Sequence, residues 1–222
     1  VAQIARTLAK YFNLNEDLCE TLSLSHDLGH TPFGHAGEDI LNECMNSYGG
    51  FDHNIQTLRI VNILENKYYN FNGLNLSFET IDGLVKHNGP VTNTKKLDLI
   101  LGKNFFKKNI DFTKNASLEA QLAAISDDIA YNSHDLEDGL RANLYKIEDL
   151  KDIPILSEIV KKHKKFIKTK GTDLMIRQVI RDIINEMVND VILNTKKKIK
   201  EKKIKNINDV YKNKNLLVSF SD

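Results

Sequence analysis

Residues 117–140 read SLEAQLAAISDDIAYNSHDLEDGL, and this stretch decides the fold class. Its apolar side chains recur every three or four positions, the spacing that places them on one face of an α-helix. They are Leu118, Leu122, Ile125, Ile129, Leu136 and Leu140. Ser117 precedes the stripe and is a favoured N-cap residue. The pattern predicts one long amphipathic helix.

Helical periodicity also dominates the chain before this stretch, and each segment ends at Asn, Gly or Pro. The predicted helices cover about 1–12, 15–28, 36–45, 53–64 and 77–88. Residues 91–116 have weak periodicity and are predicted to form a surface excursion. No strand alternation and no internal repeat occur, so the sequence predicts an all-α fold.

Two further helices are predicted after Pro154, at roughly 157–167 and 173–195. The tail from 196 to 214 is rich in Lys and Asn, which predicts a solvated helix face or a mobile segment. We expect residues 1–222 to form a single domain, because that length suits one large core.

The bulk composition excludes several classes of protein. The formal net charge of 222 residues is only +1, which argues against a protein dedicated to coating nucleic acid. No apolar run approaches the length of a membrane-spanning helix, so no membrane association is expected. The two cysteines, Cys19 and Cys44, lie in apolar helical patterns and are predicted to be buried reduced thiols of a cytoplasmic protein.

The segment HDLGHTPFGHAGE, residues 26–38, concentrates three of the seven histidines and two acids within 13 residues. They are His26, Asp27, His30, His35 and Glu38. Imidazole and carboxylate together suit divalent transition metals and Mg²⁺. His26 and Asp27 are adjacent, and both can reach one ion at a helix end, which Gly29 supplies. The segment predicts a metal site.

Acidic and aromatic residues of 117–140 are predicted to supply the distant half of this site. Asp127, Tyr131, Asp135 and Asp138 follow at i, i+4, i+8 and i+11, so they share one helix face opposite the apolar stripe. An ordinary solvated face of an amphipathic helix is the alternative interpretation.

The motif residues resemble one known family. HDLGHTPFGHAGE, FDHNIQTLRIV (51–61), GLNLSFETIDGLVKHNGP (73–90) and SDDIAYNSHDLEDG (126–139) are similar, in the same order, to blocks of the HD-domain deoxynucleoside triphosphate triphosphohydrolases, the dGTPase-like family. The resemblance implies an HD-domain helical bundle with additional C-terminal helices. It also implies hydrolysis of a dNTP to a deoxynucleoside and inorganic triphosphate.

The resemblance also implies roles for individual residues. His26, Asp27 and Asp127 match metal ligands, and Asp128 replaces Asp127 if the register differs by one. Tyr131 matches a residue that stacks on the sugar, and Asp135 matches one that contacts the deoxyribose. The cofactor implied is a divalent metal, Mn²⁺, Mg²⁺ or Fe²⁺.

His30, His35, Glu38 and His53 match the family's catalytic and phosphate-contacting cluster. The choice of general acid or base between His30 and His35 stays open, and His53 also fits a structural role. Cations must neutralise the triphosphate, and the candidates in the sequence are Arg59, Lys86 and Arg177. The partners implied are the dNTP substrate, an effector dNTP and further copies of the chain in a homo-oligomer.

One departure from the family concerns the N-terminus. The family has another metal-ligating His shortly before the segment that matches VAQIAR, and this chain begins at Val1. We therefore expect that both ends are cut. Two other functions stay open: another HD-domain nucleotide phosphatase or phosphodiesterase, and a non-catalytic nucleotide-binding module.

Overall fold

Helices account for the regular secondary structure of the described part of the chain. The computed structural model describes residues 1–102, 110–163 and 171–221, apart from the side chains of residues 154 and 155. No strand occurs within those ranges. The all-α prediction is therefore confirmed.

Residues 1–102, the described part of the N-terminal half, contain six α-helices. They are α1 (Ala2–Phe12), α2 (Glu16–Ser25), α3 (Gly34–Cys44), α4 (His53–Arg59), α5 (Phe78–Val85) and α6 (Lys95–Leu101). The Asn15 and Ser77 side chains cap α2 and α5 by accepting the backbone N–H of Leu18 and Thr80, as the sequence predicts. A π-helical turn over Ile60–Leu64 extends α4.

The described residues after 110 contain four more α-helices: α7 (Leu118–Arg141), α8 (Pro154–His163), α9 (Thr172–Glu201) and α10 (Ile207–Lys212). The predicted helix at 157–167 overlaps α8, and its last four positions lie outside the described residues. The predicted helix at 173–195 continues further, because the lysines that follow are good helix formers. Residues 196–214 thus contain the end of α9 and the whole of α10.

α7 is the central helix of the bundle. It packs against α1, α2, α5 and α9, while α8 packs against α9. Leu122 and Ile129, from the predicted apolar stripe, are fully buried beside α1 and α9. Because this stripe faces the core, the opposite face of α7 is left for Asp127 and Tyr131.

Two expectations from the sequence are wrong. Residues 91–116, expected as a surface excursion, contain α6, and Leu97 of that helix is buried against α2, α4 and α5. Cys44, expected to be buried, is exposed, whereas Cys19 is buried as expected. Cys44 lies on α3, which has no buried residue. No described helix is both long enough and apolar enough to cross a membrane.

Candidate active site

The turn after α2 is fixed to α4 by Thr57, and this places the His26-Asp27 pair. The buried Thr57 hydroxyl donates to the carbonyl of His26 at 3.0 Å and accepts the N–H of Gly29 at 2.9 Å. A side chain at position 29 would overlap backbone atoms of His53 and Thr57. Gly29 therefore allows the motif to pack directly on α4.

His26 presents one ring nitrogen to two carboxylates. Its Nδ1–H donates to the carbonyl of Ser23 at 2.9 Å, which leaves Nε2 free of a proton in the neutral tautomer. Nε2 is buried, has no hydrogen-bond partner, and lies 3.3 Å from Asp27 Oδ2 and 3.7 Å from Asp127 Oδ2. A buried nitrogen without a partner that faces two acids fits a divalent cation, since the cation would satisfy all three groups.

His87, at the end of α5, also reaches this place. Its ring centroid lies 4.6 Å from that of His26, and the ligand atoms of His26, Asp27 and His87 lie within 4.8 Å of one another. The ligand atoms of a second set, Asp27, His30 and His53, also lie within 4.8 Å of one another. The sequence interpretation gave His87 no role, because its approach to His26 depends on tertiary packing.

The charges around His26 favour positive charge between the two carboxylates. Burial lowers the pKa of His26, but the nearby carboxylates of Asp127 and Asp27 outweigh it and raise that pKa to about 10. The pKa of Asp27 is lowered, first by its interaction with the His26 ring. The pKa of His87 is lowered by its burial and by the nearby charge of His26. A proton or a metal cation can supply the positive charge that this arrangement favours.

A cluster of three histidines surrounds Glu38 next to this site. His30 stacks on His53 at 4.7 Å between ring centroids and lies 5.1 Å from His35. Glu38 Oε2 lies 2.8 Å from His53 Nδ1 and 3.7 Å from His35 Nδ1. The His53 side chain is mostly buried, whereas that of His35 is 81% exposed. The two imidazoles beside Glu38 therefore differ sharply in their access to solvent and substrate.

One cavity of about 1020 Å³ joins the two groups of residues. Asp27, Asp127 and the cluster histidines line it, and so does Tyr131, whose side chain is 64% exposed. Asp135 is exposed and does not line the cavity. Its carboxylate lies near the Tyr131 hydroxyl and raises the pKa of Tyr131.

The residues from α1 to the middle of α7 correspond to a known protein family. The family model described as "HD domain" matches residues 1–132, which is more than half of the chain. The chain belongs to the HD-domain family. The matched range includes His26, Asp27 and Asp127.

Curated relatives match the whole chain and continue beyond it. Proteins named "deoxyguanosinetriphosphate triphosphohydrolase-like protein" from Pelagibacter ubique, Parvibaculum lavamentivorans and Bartonella henselae are 56%, 45% and 45% identical to this chain over its whole length. The matches cover 60%, 57% and 56% of these relatives. The chain therefore spans less than two thirds of their length.

The remaining predicted residues of the HD domain divide into those near the cavity and those away from it. Lys86 and Asp128 line the cavity, and burial together with the charge of Asp127 raises the pKa of Asp128. Arg59 and Arg177, expected as triphosphate-binding candidates, do not line it. Arg59 instead hydrogen-bonds Gln56 on the exposed face of α4.

Proposed function

We propose that this HD domain hydrolyses a deoxynucleoside triphosphate to a deoxynucleoside and inorganic triphosphate with a divalent cation. One observation carries the proposal: a single cavity is lined by Asp27 and Asp127 of the candidate cation site, by the histidine cluster, and by Tyr131. In a nucleotide the phosphates, the scissile bond and the sugar follow one another. The cation site would contact the phosphates, the histidine cluster the scissile bond, and Tyr131 the sugar. The names of the relatives support the same reaction.

The reaction determines what the side chains must do. Water attacks the α-phosphorus, the bond from that phosphorus to the 5′-oxygen breaks, and one proton passes in net from the water to the 5′-oxygen. His26, Asp27 and Asp127 would hold the cation, and His87 is near enough to join them. A divalent cation supplies a Lewis acid for a phosphoryl oxygen and makes water more acidic.

His35 is the residue we assign to the proton delivered to the 5′-oxygen. It lines the cavity, it is the most exposed imidazole beside Glu38, and its Nδ1 lies 3.7 Å from the Glu38 carboxylate. His53 is mostly buried and fixed by Glu38, so it acts as a positioning residue. His30 packs between the two rings and is the competing proton donor.

Tyr131 is the residue we assign to the sugar. Its ring lines the cavity one helical turn beyond Asp127, and one turn rises about 5.4 Å, close to the distance from an α-phosphate to a deoxyribose ring. A ring packed against the sugar leaves little room for a 2′-hydroxyl, which would favour dNTP over NTP. Effector dNTP binding and homo-oligomer assembly belong to the same proposal.

Product analysis tests the reaction. The protein is incubated with each dNTP in the presence of Mn²⁺, Mg²⁺ or Fe²⁺, and the products are separated by anion-exchange chromatography. The proposal requires deoxynucleoside and intact triphosphate in equal amounts. Orthophosphate, pyrophosphate or a nucleoside monophosphate as the first product would instead identify another HD-domain phosphatase or phosphodiesterase. Binding of dNTP without any turnover would identify a non-catalytic nucleotide-binding module.

A further inference from the structure

The cavity has a wall that comes from outside the part of the chain that matches the HD domain. The family match ends at residue 132, but Lys214, Leu216 and Val218 also line the cavity. We call residues 213–218 the closing segment. It begins just after α10, and its Leu217 lies 96 positions from Gln121 of α7, so its place depends on tertiary contacts.

Gln121 of α7 fixes the end of the closing segment. Its Oε1 accepts the backbone N–H of Leu217 at 2.9 Å and that of Val218 at 3.1 Å, and its Nε2–H donates to the carbonyl of Ala116 at 2.9 Å. Gln121 is only 4% exposed, so these bonds form in a protected environment. Removal of the Gln121 side chain would leave two backbone donors without a partner.

Asn115 fixes the beginning of the same segment. Its buried amide donates to the carbonyl of Asn213 at 2.6 Å and to that of Asn215 at 3.3 Å. Lys214 lies between these two carbonyls in the chain. Its backbone is therefore held from both sides while its side chain is exposed at the cavity.

Among the described residues, two lysines line the cavity, and the charge of Lys214 is the one available to a ligand. Lys86 is buried and lies 2.6 Å from the carboxylate of Asp82, which compensates its charge. Lys214 makes no ion pair with any described residue. Asp27, Asp127 and Asp128 make the rest of the lining acidic, so an anionic ligand needs added positive charge.

We propose that Lys214 binds the triphosphate of the substrate and of the product, and that the closing segment is part of the substrate site. The inference deepens the proposed function and rests on it for the identity of the ligand. A lysine ammonium binds phosphate oxygens as a point charge, and charge-assisted hydrogen bonds are about twice as strong as neutral ones. Because Lys214 acts on the phosphates, it contributes to substrate and product affinity rather than to the protonation of the 5′-oxygen.

The test compares Lys214→Gln with Lys212→Gln. Lys212 is an exposed lysine of α10 that does not line the cavity, so it controls for the loss of one surface charge. Tripolyphosphate is the probe, and its dissociation constant is measured by calorimetry with Mg²⁺ present. Lys214→Gln is expected to weaken its binding about 10-fold or more, the usual cost of one charge-assisted hydrogen bond, and Lys212→Gln less than twofold.

Kinetics provide the second measurement. Lys214→Gln should raise KM for the dNTP by a similar factor and change kcat less than threefold, while Lys214→Arg restores most of the affinity. Equal tripolyphosphate binding by wild type and Lys214→Gln would overturn the inference, as would equal losses in the two variants. If the wild-type protein released no triphosphate, that result would contradict the proposed function. The tripolyphosphate measurement would still decide the role of Lys214.

Discussion

Glu38 holds His53 at two points: Oε1 accepts the backbone N–H of His53 at 2.8 Å, and Oε2 lies 2.8 Å from its Nδ1. Burial raises the pKa of Glu38, but these two bonds from His53 outweigh it, so the net pKa is lowered. Glu38 is therefore ionised near neutral pH. One carboxylate at the start of α3 thus joins the helix to α4 and orients the imidazoles between them.

Glu38→Gln tests this orientation. The amide oxygen can still accept the backbone N–H of His53, but the negative charge beside His35 and His53 is lost. We expect kcat for triphosphate release to fall about 10- to 100-fold, within the range for acid–base catalysis, with little change in Tm. Asp39→Asn, at the exposed neighbouring position, is the control and should keep wild-type kcat. Equal kcat in both variants would exclude Glu38 from catalysis.

His35→Ala separates the two proton donors that the sequence left open. If His35 protonates the 5′-oxygen, its removal should lower kcat at least about 10²-fold, the usual scale for one acid–base group. The side chain is exposed, so the free energy of unfolding should change little. His30→Ala is measured in parallel. A larger loss of kcat in His30→Ala than in His35→Ala would transfer the role to His30.

The metal-binding part of the site could be predicted because its residues are close in sequence or share one helix face. His26 and Asp27 are adjacent, and Asp127 and Tyr131 are one helical turn apart, so local geometry brings each pair together. The all-α fold was equally accessible, since periodicity is a local signal. The structure does bring His26 and Asp127 within 3.7 Å, although metal binding itself stays a prediction.

His87, Lys214 and Leu97 could not be predicted, since their surroundings depend on tertiary packing. His87 reaches His26 only because α5 packs on α2, and Lys214 reaches the cavity only because Gln121 and Asn115 bind the closing segment. The prediction that Cys44 is buried was wrong for a related reason. The apolar pattern of α3 suggested a buried face, but a helix pattern does not tell which neighbours cover it.

Gly29→Ala tests how the metal-binding pair is positioned. The added methyl group would overlap backbone atoms of α4, and these atoms cannot move aside as the end of a flexible side chain can. Overpacking of this kind costs about 1–3 kcal/mol, or several degrees in Tm, and it should also weaken cation binding by displacing His26. Gly49→Ala, at an exposed position with open space, is the control, and only its positive φ adds strain. Unchanged cation affinity in Gly29→Ala would contradict this role.

Asp182 lies away from the candidate active site, and its contribution to the free energy of unfolding depends on pH. It accepts hydrogen bonds from His163 at 2.7 Å and Gln178 at 2.8 Å, and the bond from His163 is the main reason that its pKa falls to about 2. A lowered carboxylate pKa stabilises the fold above the unfolded pKa of about 3.9, and the effect is lost as pH falls towards 2.

Asp182→Asn should therefore lower the free energy of unfolding by up to about 2 kcal/mol at pH 6, measured by urea denaturation. The difference from wild type should shrink as the pH falls from 4 to 2. Glu186→Gln, at an exposed position on the same helix, should show no such trend. A difference between Asp182→Asn and wild type that stays constant down to pH 2 would show that the carboxylate charge is not the cause.

Asp135→Ala distinguishes direct sugar recognition from support of Tyr131. If Asp135 accepts a hydrogen bond from the 3′-hydroxyl, its loss costs about 1.5–3 kcal/mol, or roughly 10- to 150-fold in KM for a dNTP. A 2′,3′-dideoxy analogue lacks that hydroxyl, so its KM should change much less. Asp138→Ala, an exposed acid one turn further along α7, is the matched control and should leave both values unchanged.

The structure adds a competing explanation, because the Asp135 carboxylate is near enough to raise the pKa of the Tyr131 hydroxyl and does not line the cavity. Tyr131→Phe removes the hydroxyl and keeps the ring. If Asp135 only orients Tyr131, Tyr131→Phe and Asp135→Ala should raise KM equally, and for both substrates. If Asp135 turns to the 3′-hydroxyl when substrate binds, Tyr131→Phe should have little effect, since Asp135 no longer interacts with the tyrosine hydroxyl in the complex. Sugar recognition by Asp135 is therefore supported if KM for the dNTP, and not for the dideoxy analogue, rises in Asp135→Ala and does not rise in Tyr131→Phe.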